Sequence, residues 1–263
     1  MPRVKPVGQT LTEAFDYSIR LEGRRGDLKD FELRRLEQLA YPKEGNYLLY
    51  LAKEMLVAEI ERDYERFDKA ADRFLQNGAS DDLLINMSSI TLFALNPGLA
   101  LALVRRLIEL YPDHTEGFKL IAECAWFAGD LPLCAELRER IERLGGEMEK
   151  DLRDEEATRV LSEAGVALEH YRDYVHGLHD IVRNHLTGHR DARLELDFEV
   201  TQHEDGHEGI VLQVFSNLES EHLDRLDDDF LEHACSPEAI DSGVSDVVTV
   251  LVRDIPVQEA GVA

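Results

Sequence analysis

Cysteine and tryptophan are scarce in this sequence, which has three Cys and one Trp in 263 residues. Three thiols are an odd number and too few to form a disulfide framework for a chain of this length, so they favour a reducing compartment. The sequence also lacks an apolar run long enough to span a membrane, and its first residues lack the apolar core of a signal peptide. We therefore expect a cytoplasmic protein.

Basic residues are the second shortage. The chain has 29 Lys and Arg against 54 Asp and Glu, a formal net charge of -25. No Lys follows Lys150, and residues 191–263 contain 19 acidic residues against 3 Arg. Because nucleic acids and anionic membranes are bound through clustered Lys and Arg, the composition argues against both as partners. It fits a basic protein partner, a high-salt cytoplasm or a simple need for solubility.

Complete catalytic motifs are missing as well. The sequence has no glycine-rich phosphate-binding loop of the Walker or dinucleotide type. No serine stands in a nucleophile-elbow pattern. On these grounds we expect neither a cofactor nor an enzymatic activity.

The clearest feature that is present is an internal repeat of 34 residues between Ala79 and Gly146. Two segments match at this offset, each apolar at helical spacing and interrupted by a turn in the middle and at the end. The matched pairs are Leu84 with Phe118, Met87 with Ile121, Ser88 with Ala122, Ala100 with Cys134, Leu107 with Ile141, Leu110 with Leu144, and Pro112 with Gly146. A repeat of this kind predicts stacked helical hairpins, that is, an α-solenoid.

The repeat resembles the tetratricopeptide repeat (TPR) family. The residues that carry the resemblance in the second copy are Phe118, Ile121, Ala122 and Ala125 at the family's aromatic, Leu-Gly and Tyr positions, Gly129-Asp130 at the turn, Cys134 at the close helix contact and Leu144 at the last buried position. The resemblance implies that the first helix of each hairpin lines a concave groove that holds a peptide or helix of a partner. By position, the groove residues are Ile85, Ser89, Leu92, Lys119, Glu123 and Trp126.

Two more divergent hairpins precede the clear copies. A capping box at Thr10 and Glu13 opens a helix that ends at Gly23, and a second helix runs to Pro42. Apolar residues at helical spacing predict another pair of helices before Gly78. The resemblance therefore covers about residues 10–146, and we predict that residues 1–146 form a TPR-like domain of about four hairpins.

Residues 147–190 are predicted to form one long connecting helix. Apolar residues alternate by four and three along it from Ala157 to Val182, which is a heptad stripe. Such a stripe must pack against something. We expect it to cap the last hairpin or to pack on the C-terminal part of the chain, and pairing with a second copy in a homodimer is the alternative.

Residues 191–263 are predicted to form a small acidic ββαβ domain. In residues 194–200 apolar side chains alternate with acidic ones, which is typical of a half-buried strand. Residues 210–215 and 247–252 predict two further strands, with an amphipathic helix between them. The fold class is thus mostly α with a small α/β part.

The order of the three strands is predicted to follow the chain, with a right-handed parallel crossover from the second to the third. A three-residue loop between the first two strands would pair Val200 with Leu212 and Phe198 with Val214. The side chains expected to point inward from the last helix are Leu223, Leu226, Phe230 and Ala234.

Histidines are concentrated in one region, since seven of the ten lie between His170 and His207. His176 and His179, three apart on a predicted helix, have a spacing that suits one metal ion. His203 also lies close to His207, across a turn. No complete metal motif surrounds either pair, so we predict ordinary polar roles and no bound metal.

The acidic residues of the last helix and the cysteines are two further candidate groups for a site. Four acidic residues on the last helix are expected to form a solvated face, because no basic phosphate-binding residue accompanies them: Asp224, Asp227, Asp228 and Asp229. Cys124 and Cys134 are expected to be buried packing residues, and Cys235 to be exposed.

The sequence therefore predicts a non-enzymatic scaffold or adaptor that binds a protein partner through the solenoid groove, the acidic C-terminal domain or both. One alternative is a metal-dependent enzyme or metal-binding module that uses the His-rich residues 170–207. A second alternative is an acidic inhibitor or antitoxin that neutralises a basic protein.

Overall fold

Helices make up most of the chain in a computed structural model that describes residues 7–39, 47–77, 79–147, 153–202 and 208–255. Eight helices form the first part and pack in four consecutive pairs. They are α1 (Val7–Glu22), α2 (Asp30–Leu39), α3 (Tyr47–Glu61), α4 (Tyr64–Leu75), α5 (Asp81–Phe93), α6 (Pro97–Leu110), α7 (Thr115–Phe127) and α8 (Leu131–Arg143). These four pairs agree with the helices predicted from the sequence, except that α1 begins at Val7, so Thr10 lies inside the helix and does not open it as the predicted capping box required.

The repeat is visible in the spacing of the helices. The first helices of the last three pairs begin at Tyr47, Asp81 and Thr115, each 34 residues after the one before. Helix α3 also contacts α5, and α5 contacts α7. The regular offset therefore places equivalent residues of successive pairs side by side.

The turn inside each of the last three pairs repeats as well. Its central residue has a positive φ: 56° at Arg62, 55° at Leu95 and 70° at Gly129. The next residue caps the second helix, since its side chain accepts a hydrogen bond from the backbone N–H three residues later. These caps are Asp63, Asn96 and Asp130.

One predicted core position of the repeat is wrong. Leu144 was expected to be the last buried residue of its hairpin, but 41% of it is exposed, and Leu110 at the matching position is exposed to the same extent. Both residues stand at the end of a helix, where neighbouring helices cover a side chain only partly. The other matched apolar pairs, such as Leu107 with Ile141, are fully buried.

The predicted long helix is two helices, α9 (Asp154–Glu163) and α10 (Leu168–Leu186). The chain breaks at Gly165, whose φ is 75°. The N–H groups of Gly165 and Val166 donate to the carbonyls of Ser162 and Leu161, which is the hydrogen-bond pattern of a glycine helix terminus. The apolar spacing of four and three residues continues across this break. The spacing alone therefore does not reveal that the helix ends at Gly165.

Helix α10 runs back along the turns of the earlier helix pairs. Near its start, Val175 lies against the turn at Gly129. Near its end, Arg183 donates to Asp68 of α4 at 2.7 Å. After it, the N–H of Gly188 approaches the carbonyl oxygen of the turn residue Arg62 at 3.4 Å. The helix therefore contacts both the last helix pair and the second, and connects them along the side where their turns lie.

A three-stranded sheet forms the rest of the described chain. Its strands are β1 (Leu194–Gln202), β2 (Glu208–Ser216) and β3 (Val248–Asp254), in the order β1-β2-β3. The first pair is antiparallel and the second is parallel. Helices α11 (Ser220–Ala234) and α12 (Pro237–Asp241) connect β2 to β3. The predicted strands, their order and the intervening helix are confirmed.

The predicted register of the first two strands is wrong by two residues. Leu212 pairs with Phe198 rather than with Val200, and Val214 pairs with Leu196. The ladder ends at the pair Gln202 and Glu208, so the loop is longer than the three residues predicted. A shift of two leaves every side chain on its predicted face, which is why alternation could not detect the error.

One face of the sheet packs against α10. Val175, Leu178 and Val182 of this helix lie with Leu196 and Val250 of the sheet around one very small cavity. The stripe that was considered for pairing with a second copy is thus mostly buried within the chain. Among the described residues, no helix combines the length and apolar character needed to cross a bilayer.

Candidate functional site

The six residues predicted to line the groove lie on α5 and α7 with different degrees of exposure. Two are buried, Ile85 at 7% and Trp126 at 5% exposed. The others are half-buried or exposed: Ser89, Leu92 and Lys119 are half-buried, and Glu123 is exposed. Trp126, the one large aromatic residue among the six predicted groove residues, is therefore not exposed to solvent.

Strand β1 is what covers Trp126. Its indole lies 5.9 Å from the ring of Phe198, and the neighbouring Phe127 meets the same ring edge to face at 5.2 Å. Phe198 belongs to β1, so the C-terminal sheet packs against the end of α7. An aromatic contact of this kind is favourable beyond the burial of area, and here it joins the two parts of the chain.

A cavity of about 280 Å³ remains beside this contact. It lies between β1 and the C-terminal ends of α1, α3, α5 and α7. Its lining consists of Leu92, Phe93, Leu95, Phe127, Leu194 and Leu196, with Glu22, Arg62 and Glu195 as the charged members. Phe93 is an exposed aromatic residue, at 40% of its surface. The cavity is thus apolar along its walls and is reached from solvent.

The charged end of the cavity belongs to a buried ionic cluster. Arg25, which has no exposed surface, binds the carboxylates of Glu22 and Glu59 and the carbonyl oxygen of Arg190. Arg62 completes the cluster, with Glu22 at 3.6 Å and Glu59 at 3.8 Å. These bonds join α1, α3 and the segment before β1, so the cluster has a connecting role.

Burial sets the protonation of this cluster. Loss of water around Glu59 raises the pKa of its carboxyl to about 7, against the opposing effect of Arg25. Burial would lower the pKa of Arg25, but the nearby Glu59 and Glu22 carboxylates outweigh it and raise that pKa. Sequence reasoning missed this cluster, because Glu22 and Arg25 meet Glu59 and Arg62 only through the packing of two segments that are far apart in the chain.

The outer face of the sheet is the second exposed feature. The side chains that point away from α10 form three rows across the strands. They are Glu195, Phe215 and Arg253 in the first row, Asp197, Gln213 and Leu251 in the second, and Glu199, Val211 and Thr249 in the third. Val211, Phe215 and Leu251 are not part of the main apolar core. On this face Val211 is buried, and Phe215 and Leu251 are half-buried.

Three carboxylates lie along one edge of that face. Glu195, Asp197 and Glu199 alternate with the inward residues of β1, and Glu195 and Asp197 are exposed. Within the residues that the structure describes, none of the three has an ion-pair partner. We call the nine residues of the three rows the outer sheet face. One edge of it is acidic, its central residue is Gln213, and its apolar members are Val211, Phe215 and Leu251.

The predicted histidine pair on α10 does not form a metal centre. His179 is buried and its Nδ1 binds the carbonyl oxygen of Val175 at 2.8 Å, while burial lowers its pKa to about 4. His176 is half-buried, and burial lowers its pKa as well. In the described residues, no three His, Cys, Asp or Glu side chains come together as a metal-binding group. His203 and His207 lie outside the described residues.

The remaining predicted residues are placed as expected. Cys124 and Cys134 are buried and Cys235 is exposed. Burial raises the pKa of Cys124 to about 12 and that of Cys134 further, so both thiols are poor nucleophiles. The four Asp residues of α11 are exposed, and one of them, Asp229, pairs with His185 at 2.7 Å.

A cleft of about 740 Å³ lies where β2 leads into α11. Rings of His189 and His222 meet there edge to face at 5.1 Å, beside the carboxylates of Glu61 and Glu219. This is the carboxyl end of β2, where α/β sheets often bind ligands. The lining provides no nucleophile held by a base, so the arrangement by itself supports no reaction.

Comparisons with family models, with curated proteins and with solved structures found no match for this chain. The geometry of the outer sheet face, the cavity and the cleft therefore carries the functional conclusion. Of these three, the outer sheet face has the clearest combination of apolar area and unpaired charge.

Proposed function

We propose that this protein is a non-enzymatic interaction protein that holds a basic protein partner on its outer sheet face. In this proposal the first four helix pairs form a TPR-like solenoid that serves as a rigid support. The observation that carries it is the row of Glu195, Asp197 and Glu199, which have no ion-pair partner among the described residues and share a sheet face with the half-buried Phe215 and Leu251.

Charge and the half-buried apolar side chains both support a protein partner. Phe215 and Leu251 lie on the same face as the carboxylates, and apolar side chains rimmed by charge are typical of an interaction site. The chain has a net charge of -25, which attracts a basic surface and repels acidic ones. The half-buried groove residues Ser89, Leu92 and Lys119, with the exposed Glu123, are a secondary surface in this proposal.

The test is affinity capture from a native lysate with two charge-matched variants. One variant carries Glu195→Gln, Asp197→Asn and Glu199→Gln. The control carries Asp224→Asn, Asp227→Asn and Asp228→Asn on α11, which removes the same charge elsewhere on the surface. We expect a basic protein in stoichiometric amount with the wild type and the control, and its loss with the strand variant.

Salt provides a second readout. Binding through these carboxylates should weaken as ionic strength rises, because exposed charges are screened over about 8 to 10 Å at physiological salt. Equal capture by both variants would contradict the outer sheet face as the site. An inhibitor of a basic protein would use the same surface, and it is distinguished by loss of the captured protein's own activity on binding.

A further inference from the structure

Strand β1 is an edge strand whose unpaired backbone groups can be identified. The N–H of Ile210 donates to Val247 at 2.9 Å, and the carbonyl oxygen of Ser216 accepts from Ile255 at 3.1 Å. The even-numbered residues of β2 therefore face β3, and the odd-numbered ones face β1. Val211 and Gln213 are odd-numbered and so face β1. The β1 residues paired with them therefore direct their own N–H and C=O groups toward β2.

The alternate residues of β1 must then direct their N–H and C=O groups away from the sheet. These are Leu194, Leu196, Phe198 and Val200. In the part of the chain that the structure describes, no other group takes up these hydrogen bonds. An edge of this kind is a template for one more strand.

The cavity of about 280 Å³ lies directly beside this edge, since Leu194 and Leu196 form one of its walls. A strand added to β1 would lie about 4.8 Å away and would alternate its side chains between the two faces of the sheet. Side chains on the inner face would enter the cavity between β1 and Phe93. Those on the outer face would lie beside Glu195 and Asp197.

Charge decides what kind of strand fits. In a pairing of two copies through this edge, the carboxylate rows of both chains would lie side by side on the outer face, which is unfavourable. A strand with Lys or Arg at alternate positions would instead pair with Glu195, Asp197 and Glu199. The inner positions require apolar side chains, because the cavity walls are apolar.

We propose that β1 accepts an extended segment of the partner protein as a fourth strand, with apolar residues facing the cavity and Lys or Arg facing the carboxylate row. This deepens the proposed function and rests on it, since it specifies the part of the basic partner that binds. Backbone hydrogen bonds would provide affinity and the cavity would provide selectivity, as in other cases of strand addition.

The test uses a synthetic seven-residue peptide, Lys-Leu-Lys-Leu-Lys-Leu-Lys, blocked at both ends, and two N-methylated forms of it. One form is methylated at the Leu residues and the other at the Lys residues. In a strand pairing, either the N–H groups of the Leu residues or those of the Lys residues face β1, but not both. Purely electrostatic binding uses neither set. Loss of binding from one form alone supports the proposal, and equal behaviour of both forms overturns it.

A variant of the cavity tests the inner positions. Phe93→Ala removes an exposed wall residue and should weaken binding of the unmethylated peptide about tenfold. Phe31→Ala is the matched control, because Phe31 is an even more exposed aromatic residue on α2, outside the cavity lining. Circular dichroism verifies that both variants are folded, and an unchanged affinity for Phe93→Ala overturns the cavity assignment.

The two proposals can fail separately. If the peptide does not bind but capture of a basic protein still depends on the three carboxylates, strand addition is wrong and the outer sheet face remains the site. If capture does not depend on those carboxylates, the proposed function is wrong.

Discussion

At the scale of single residues, buried polar groups are the feature that most distinguishes this protein. Arg25 and Arg62 are almost completely buried and are held by Glu22, Glu59 and backbone carbonyls. Removing one partner from such a cluster leaves an uncompensated charge, which is strongly destabilising. These residues therefore behave as internal connections rather than as reactive groups.

His179 allows a prediction on pH dependence. Its ordinary pKa of 6.5 is lowered to about 4 by burial. Between these values the unfolded chain binds a proton that the folded chain does not, so the free energy of unfolding falls as the pH falls from 6.5 to 4. For His179→Leu this loss should be smaller, by about 3 kcal/mol at most.

Urea denaturation at several pH values between 6.5 and 4 measures this effect. His170→Leu is the control, since it removes an exposed imidazole from the same helix. The raised pKa of Glu59 has the opposite effect, since it increases the free energy of unfolding as the pH falls. This effect is present in all three proteins and cancels in the comparison. Parallel curves for wild type and His179→Leu would contradict the prediction.

At the scale of elements, the turns between paired helices decide how the helices pack. The same left-handed conformation occurs at Arg62, Leu95 and Gly129, followed each time by an Asp or Asn cap. Two of these three residues are not glycine, although glycine adopts this conformation with least strain. Helix α10 packs closely against the third turn, at Gly129.

Replacement of Gly129 separates backbone strain from packing. A Cβ added there would lie 3.1 Å from Cβ of Val175 and 3.3 Å from Cα of Arg172, whereas one added to Gly145 meets nothing within 4 Å. Both glycines have a positive φ. We expect Gly145→Ala to cost about 1 kcal/mol and Gly129→Ala about 2 to 3 kcal/mol. Urea denaturation of the two variants gives the values, and equal losses would mean that α10 does not press on this turn.

At the scale of the whole molecule, the C-terminal segment and the first helix pairs are joined at several places. Arg183 reaches α4, and Arg25 and Arg62 reach the segment before β1. Trp126 and Phe127 meet Phe198 of β1. These contacts are spread along the length of the molecule, so neither part is expected to unfold alone.

The single Trp provides the test of this cooperativity. Trp126 is buried beneath β1, so its fluorescence should change when the sheet leaves α7. We expect the fluorescence and far-ultraviolet circular dichroism transitions in urea to coincide, and Phe198→Ala to lower both midpoints together by the equivalent of about 2 to 3 kcal/mol. A fluorescence change that precedes the loss of helix would contradict a single cooperative unit.

Periodicity explains which parts of the fold were predictable. Apolar residues at a 34-residue offset gave the helix pairs, and alternation gave the strands, because each pattern follows from one element burying one face. The break at Gly165 and the register of β1 on β2 were not predictable in this way. In both cases the apolar pattern is the same for the wrong structure and the right one.

The candidate site was less accessible to sequence reasoning. The acidic character of the C-terminal part was evident from composition, and the alternation of Glu195, Asp197 and Glu199 placed them on one face of a strand. That Glu195 and Asp197 stay exposed depends on α10 packing on the opposite face. The cavity depends on Leu194 and Phe93, which are 101 positions apart in the chain.

The sequence by itself determined the type, order and apolar face of nearly every element, because those properties depend on residues close together in the chain. The tertiary structure alone decided where these faces meet. It placed β1 over Trp126, buried Arg25 among groups from two distant segments, and left one edge of the sheet free among the described residues. Such choices depend on which surfaces pack best across long separations, and no local pattern records them.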